Sequence, residues 1–291
     1  MANFVGGLRY NSGMYKYLLK ELNEKEVREL QDIATPLEKL SRLIEQQVKD
    51  SDLVLAEETV LAMLDRVRTM QTAKVMWPTS TVDYIINAYE KFETGYNAFV
   101  EGGRNETEAA KLMITILSGF LGLEDDVFNL FDSGLGMNSM YNPEENKHLL
   151  LLTALILGLR GDRGIKFGTT YTIAGHEMYH SILTFPEMQL QLWDRKVALN
   201  RECYIDHMIR TQDMYRAEEN TTYLNSGVNT TGEDLPDYEG LQAAFKLLQQ
   251  EGGLEEVPYP ELPKITRERL FFYSWTATWC IQGPRRISSD R

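Results

Sequence analysis

The segment Thr172-Ile173-Ala174-Gly175-His176-Glu177-Met178-Tyr179-His180 sets two imidazoles four residues apart, with a carboxylate beside the first. On an α-helix, positions i and i+4 share a face, so both rings can ligate one Zn²⁺. Glu177 then stands where it can take a proton from a water activated by that ion. Five residues with three fixed are a weak signal alone, because a catalytic zinc site needs a third protein ligand and keeps one position for water. Downstream, Gly232-Glu233-Asp234-Leu235-Pro236-Asp237 opens an apolar-periodic segment through Leu241, Ala244, Phe245 and Leu248. Glu233 and Asp237 are again i and i+4, so both can face the first helix. Glu233 would complete the ligand set for one zinc per chain. Asp237 would accept the free N–H of one zinc histidine, fixing its tautomer and raising its basicity. Two acids at a helix start also favour the helix dipole with no metal at all, and that reading stays open beside the first.

The elements that must hold these groups are mostly helical. From about Leu18 to Leu123 the apolar residues recur at threes and fours. Leu18, Leu19 and Leu22 form one stripe, and Leu37, Leu40, Leu43 and Ile44 another; both read as core. Trp77-Pro78-Thr79-Ser80-Thr81 predicts a turn and N-cap before Val82, Ile85, Ile86, Tyr89 and Phe92. Glu101 to Asn105 predicts a loop, followed by a short apolar helix to about Phe120. Gly134, Gly136 and Asn138 mark a loop leading to a strand at His148–Leu152. The expected fold is mainly α with a small antiparallel β-sheet beside the zinc helix, an α+β arrangement. Residues 1–124 form a helical region packing on a catalytic region at 125–291, with a soft boundary near Glu124. For His148 and His207, surface or satisfied polar roles are expected rather than metal binding.

Four segments together resemble the neprilysin-like zinc endopeptidases, the family that includes the endothelin-converting enzymes. Beside the H-E-x-x-H segment, Gly232 to Leu241 is similar to the family's G-E-N-I-A-D-x-x-G-L. Asn138-Ser139-Met140-Tyr141-Asn142-Pro143-Glu144-Glu145-Asn146 is similar to its N-A-x-Y-N-P-x-x-N. Leu270-Phe271-Phe272-Tyr273-Ser274-Trp275, continuing to Trp279-Cys280, resembles its L-F-F-x-S-F…W-C helix. Order and spacing agree, from roughly Arg66 onward and most closely from Asn138.

The resemblance implies a thermolysin-like, gluzincin zinc-peptidase core. In it His176, His180 and Glu233 are the metal ligands and Glu177 the base that passes a proton to the leaving amine. Asp237 supports a zinc histidine. An edge strand near Asn138 and Ser139 holds an extended peptide by main-chain hydrogen bonds. The chain also departs from the family. Full-length members continue to a segment with a His that stabilises the oxyanion and an Arg that grips substrate. Here the sequence ends at Arg291, no histidine falls in that place, and most of the family's N-terminal lobe has no counterpart. The expectation is a catalytic portion shortened at both ends. Losing one oxyanion donor costs about 10²–10³ in rate. After His180 the family's F-D-D-x-G-R is replaced by Ser181 to Pro186, and Pro236 stands between Glu233 and Asp237, where a helix interior would tolerate it poorly. Two functions therefore stand: a zinc-dependent metalloendopeptidase cleaving short peptides through a metal-activated water, or a catalytically impaired homologue serving as a binding or structural protein.

Composition sets other partners aside. A net charge of −13 over 291 residues, with no basic stripe, argues against nucleic acid and anionic membranes. The apolar runs Leu112–Leu123 and Leu149–Leu159 are too short to span a bilayer, so no direct membrane insertion is expected. The N-terminus does not read as a signal peptide, whereas the family is cell-surface or secreted. Three N-x-[ST] sequons, at Asn105, Asn220 and Asn229, lie in polar stretches that read as loops. Cys203 and Cys280 match family positions that pair with cysteines outside this region; here they read as two buried free thiols. Oligomeric state is not written in the sequence.

Overall fold

The structure is a computed structural model that describes residues 2–50, 57–72, 79–102, 139–150, 152–183 and 227–279, with the isolated positions 107, 111, 202–203 and 206–207. The chain opens with five helices: α1 (Ala2–Glu21), α2 (Glu24–Gln31), α3 (Ala34–Lys49), α4 (Glu57–Thr69) and α5 (Thr79–Glu101). Asn23 starts α2 with a reciprocal cap. Its Oδ1 accepts from the Lys25 and Glu26 amides, both at 3.0 Å, while Glu26 Oε2 accepts from the Asn23 amide at 2.8 Å. The α3 stripe is buried as its spacing predicts, with Leu37, Leu40, Leu43 and Ile44 all inside the core. Leu40 and Ile44 are wholly enclosed, each worth about 1.5–3 kcal/mol of apolar burial. Val82 and Ile85 of α5 are buried too, and a Lys16–Asp83 ion pair ties α5 to α1. The expected helix to Phe120 lies outside the described residues.

The sheet is small, and mixed in direction. Strand β2 (Ser139–Asn142) pairs antiparallel with β3 (Lys147–Leu150), and β1 (Gln71–Thr72) adds parallel to β3, giving the order β1-β3-β2. The hairpin turn ends at Asn146, whose φ of 49° is a left-handed conformation that asparagine tolerates. Asn146 is also the anchor for β1. Its Nδ2 donates to Arg66 O at 2.9 Å and Thr69 Oγ1 at 3.0 Å, and its carbonyl accepts from the Gln71 amide at 3.0 Å. Arg66 returns the contact, donating at 2.9 Å to both Tyr141 Oη and Pro143 O. A two-residue strand has too little sequence to carry a period, so β1 could not be anticipated. The strand expected at His148–Leu152 runs Lys147–Leu150, and Leu152 already begins α6 (Leu152–Arg160).

After α6 come the short α7 (Arg163–Lys166), one π-helical turn (Phe167–Tyr171) and α8 (Thr172–Leu183). Then follow α9 (Gly227–Glu251) and α10 (Arg267–Trp279). Helix α8 is the hub. It packs most extensively on α9 and also meets α3, α4, β2, β3 and the π turn. Ten of its residues are buried, His176 and Glu177 among them, so the chemistry-bearing helix lies in the interior. Two carboxylates clamp its surroundings. Glu26 Oε1 accepts from Arg160 Nε at 2.8 Å, joining α2 to α6. Asp162 caps Gly164 N at 2.7 Å and accepts from Arg267 Nε and Nη2, both at 3.0 Å, joining α7 to α10. Gly252, at φ 75°, ends α9 in the left-handed conformation, its N–H returning to Leu248 O at 3.2 Å. No described helix is long and apolar enough to cross a membrane.

Candidate metal centre

The i, i+4 spacing of His176 and His180 does what it should on a helix. The two rings stand edge to face, centroids 4.6 Å apart, and their Nε2 atoms approach to 2.9 Å. From α9, Glu233 Oε2 comes within 3.2 Å of His176 Nε2 and 3.3 Å of His180 Nε2. A tetrahedral zinc with bonds of about 2.0–2.1 Å sets its ligand atoms about 3.3 Å apart, so a triangle of 2.9, 3.2 and 3.3 Å fits that ion. Two imidazole nitrogens and one carboxylate oxygen are also the donor chemistry of a catalytic rather than a structural zinc site. Among the described residues this is the one group of three or more His, Cys, Asp or Glu placed to hold a metal.

Asp237 sits behind the triangle, its Oδ1 2.8 Å from His176 Nδ1. Helix α9 begins at Gly227, earlier than the Gly232 start read from sequence, so Pro236 is an interior residue and removes the hydrogen bond that Gly232 O would accept. The helix continues through it, and both acids still face α8. Asn229 consequently lies in a helix, not a loop; Asn105 and Asn220 lie outside the described residues.

Burial sets the electrostatics. Desolvation pushes the Glu177 carboxyl up to about 7; His176 opposes this, and Glu233 and Asp237 reinforce it. At His176 burial disfavours protonation, but the Asp237 hydrogen bond and the carboxylates of Glu177, Asp237 and Glu233 outweigh it and raise the pKa. At His180 burial and the neighbouring His176 charge prevail over Glu233 and Asp237 and lower it, which favours the neutral ring a metal requires.

Ser139 lies on β2, which packs against α8. The residue as a whole is 2% exposed and its Oγ has no partner among the described residues. Asn138 lies outside the described residues, as do Cys280 and the chain beyond it. Cys203 is exposed, not buried as read from sequence. His148 departs most from expectation. It is not on the surface, and among the described residues it is not satisfied: it is fully enclosed, neither ring nitrogen has a partner there, and burial, then the His176 charge, drives its pKa down to about 3. The pleat explains this, since His148 pairs with Tyr141 on the sheet face shared by Ser139 and Leu150. Sequence reading also passed over Arg66, Arg267 and the anchoring role of Asn146, although Asn146 closes one of the family-like motifs.

Comparison with known proteins bears on the family and the fold. Neprilysin-3 of Drosophila melanogaster is 25% identical over 158 residues, covering 50% of this chain and 19% of that protein. Neprilysin-1 of Caenorhabditis elegans is 25% identical over 177 residues, 53% of this chain and 22% of its own. The match thus spans about a fifth of those relatives. Among solved structures, the Haemonchus galactose-containing glycoprotein complex superposes on 91% of this chain and 43% of its own, with TM-score 0.53 and 18% identity. The Mycobacterium tuberculosis zinc metalloprotease Zmp1, in complex with an inhibitor, covers 86% and 38%, with TM-score 0.52 and 15% identity. At such identities these likenesses concern the fold, which is mainly helical with a small sheet. The model of peptidase family M13 matches residues 138–289, a stretch that contains all three donors, Glu177 and Asp237, and so the chain belongs to peptidase family M13.

Proposed function

We propose that this chain is a zinc-dependent metalloendopeptidase acting on short peptides, with one zinc held by His176, His180 and Glu233. The convergence of their three donor atoms to within 3.3 Å, from two separate helices, carries the reading. When bound, zinc supplies Lewis-acid activation of a water and polarisation of a carbonyl. Glu177, adjacent to His176 and buried, is the group to accept the water's proton and return it to the departing amine. In the metal-free site burial raises that carboxyl to about 7, and a bound cation would lower it, favouring the carboxylate that accepts the proton. Asp237 takes the Nδ1 proton of His176 in a hydrogen bond, which points the Nε2 lone pair at the triangle. Strand β2, bordered by β3 on one side among the described residues, offers its other edge to an extended peptide. In this role Asn138 and Ser139 act at the start of that edge, Ser139 through its main chain.

The zinc metalloprotease of Mycobacterium tuberculosis, with the same fold, lends support to the choice of metal. The experiment is zinc content and peptide hydrolysis for wild type beside Glu177→Gln. One zinc in both proteins, with hydrolysis in wild type alone, is the expected result. Equal inertness of two zinc-loaded proteins would overturn the peptidase reading and leave the metal a structural role.

A further inference from the structure

The α8–α9 contact runs backbone to backbone at one point, and that point adjoins a metal donor. A methyl group placed on Gly175 would lie 2.9 Å from Gly240 Cα and 3.0 Å from Gly240 O. Placed on Gly240, it would collide with His176 N and lie 2.9 Å from both Gly175 C and His176 Cα. Every one of these atoms is main chain, so no side chain can swing aside to make room. Gly175 directly precedes His176, and Gly240 lies seven residues, about two helical turns, beyond Glu233. The donor triangle and the Asp237–His176 hydrogen bond both bridge the same two helices. Carboxylate reach is short, and a zinc site tolerates only a few tenths of an ångström in donor position.

We propose that Gly175 and Gly240 are positioning residues for the metal centre: their contact sets the distance between α8 and α9 at which Glu233 and Asp237 can meet His176 and His180. The inference rests on the zinc reading above but not on peptidase activity. Substituting alanine at the crossing separates the helices, so the α9 carboxylates withdraw together while the histidine pair on α8 stays intact. Zinc should then be held by two ligands instead of three.

Zinc affinity by chelator competition tests this, on wild type, Gly240→Ala, Glu233→Gln, the double variant, and Val82→Ala as a destabilised control in α5, which packs on α1. Gly240→Ala should weaken zinc by at least the roughly 10–100-fold seen when a supporting group is removed. The double variant should fall well short of the product of the two single losses, because Glu233 cannot be displaced twice and only the Asp237 contribution remains to be lost. Val82→Ala should lower the melting temperature and keep wild-type affinity. If Gly240→Ala does not fold, Gly175→Ala, whose clash is softer, carries the same comparison. Wild-type affinity in a folded glycine variant, or losses that simply multiply in the double variant, would overturn the proposal while leaving the zinc reading standing. A wild-type chain that binds no zinc would instead sink the reading on which it rests.

Discussion

Asp237 and Glu233 grip opposite nitrogens of one ring, with Asp237 Oδ1 2.8 Å from His176 Nδ1 and Glu233 Oε2 3.2 Å from His176 Nε2. Carboxylates at both nitrogens hold the ring's rotation before any metal arrives, and Asp237 is the one that would keep the Nδ1 proton once a metal takes Nε2. Asp237→Ala should weaken zinc by about 10–100-fold with the far-UV spectrum unchanged. Asp237→Asn, which keeps an acceptor but not the charge, should fall between it and wild type. Chelator competition ranks the three, and an alanine variant level with wild type would strip Asp237 of this role.

The enclosed His148 predicts how stability responds to acid. Its folded pKa, about 3, lies below the ordinary 6.5, so in that interval the unfolded chain binds the extra proton. Stability from this residue is therefore full above pH 6.5 and declines as pH falls toward 3, by about 2 kcal/mol at pH 5. His148→Leu should flatten the fall between pH 7 and 5. Urea titrations of chelator-treated protein at both pH values read it, and parallel losses in variant and wild type would refute it.

Arg267 binds Asp162, Gly253 O and Glu256 from a side chain that is 7% exposed. Burial works to raise the Asp162 pKa, yet the Arg267 bonds and the Gly164 amide hold it below the ordinary value. Removing one partner strands the other, so Arg267→Ala should cost about 3–5 kcal/mol. Replacing the exposed Arg42, whose bond to Glu38 is a surface pair, should cost under about 1 kcal/mol. Denaturant midpoints for the two variants should differ accordingly.

Pro236 denies Gly232 O a partner inside α9. Pro236→Ala restores the bond and should raise stability, by up to about 3 kcal/mol, with zinc affinity unchanged. Calorimetry would reveal a lower melting temperature instead if the packing of the ring outweighs the missing bond.

What could be read in advance was local. His176 and His180 are legible because one helical turn fixes their relation, and Glu233 with Asp237 because the same period recurs ahead of an apolar face. The stripe Leu37, Leu40, Leu43 and Ile44 is legible for that reason too. The rest depends on partners remote in sequence. Nothing near His148 signals that its pleat faces inward, nothing near Arg267 points to Asp162, and two residues at Gln71 and Thr72 cannot announce a strand. The start of α9 differs from the sequence reading because Gly232 and Pro236 resemble helix punctuation, whereas the helix runs through both from Gly227.

The candidate metal centre joins helices whose donors, His176 and Glu233, lie 57 positions apart in the chain. In the unfolded polypeptide those donors share no common locality, so an ion held by both acts as a removable cross-link that closes a long loop only in the docked state. Free zinc at 100 times its dissociation constant would stabilise that state by about 2.7 kcal/mol. How often α8 and α9 part company would then be set by the metal activity of the surrounding solution, and amide exchange along α9 would serve as its gauge.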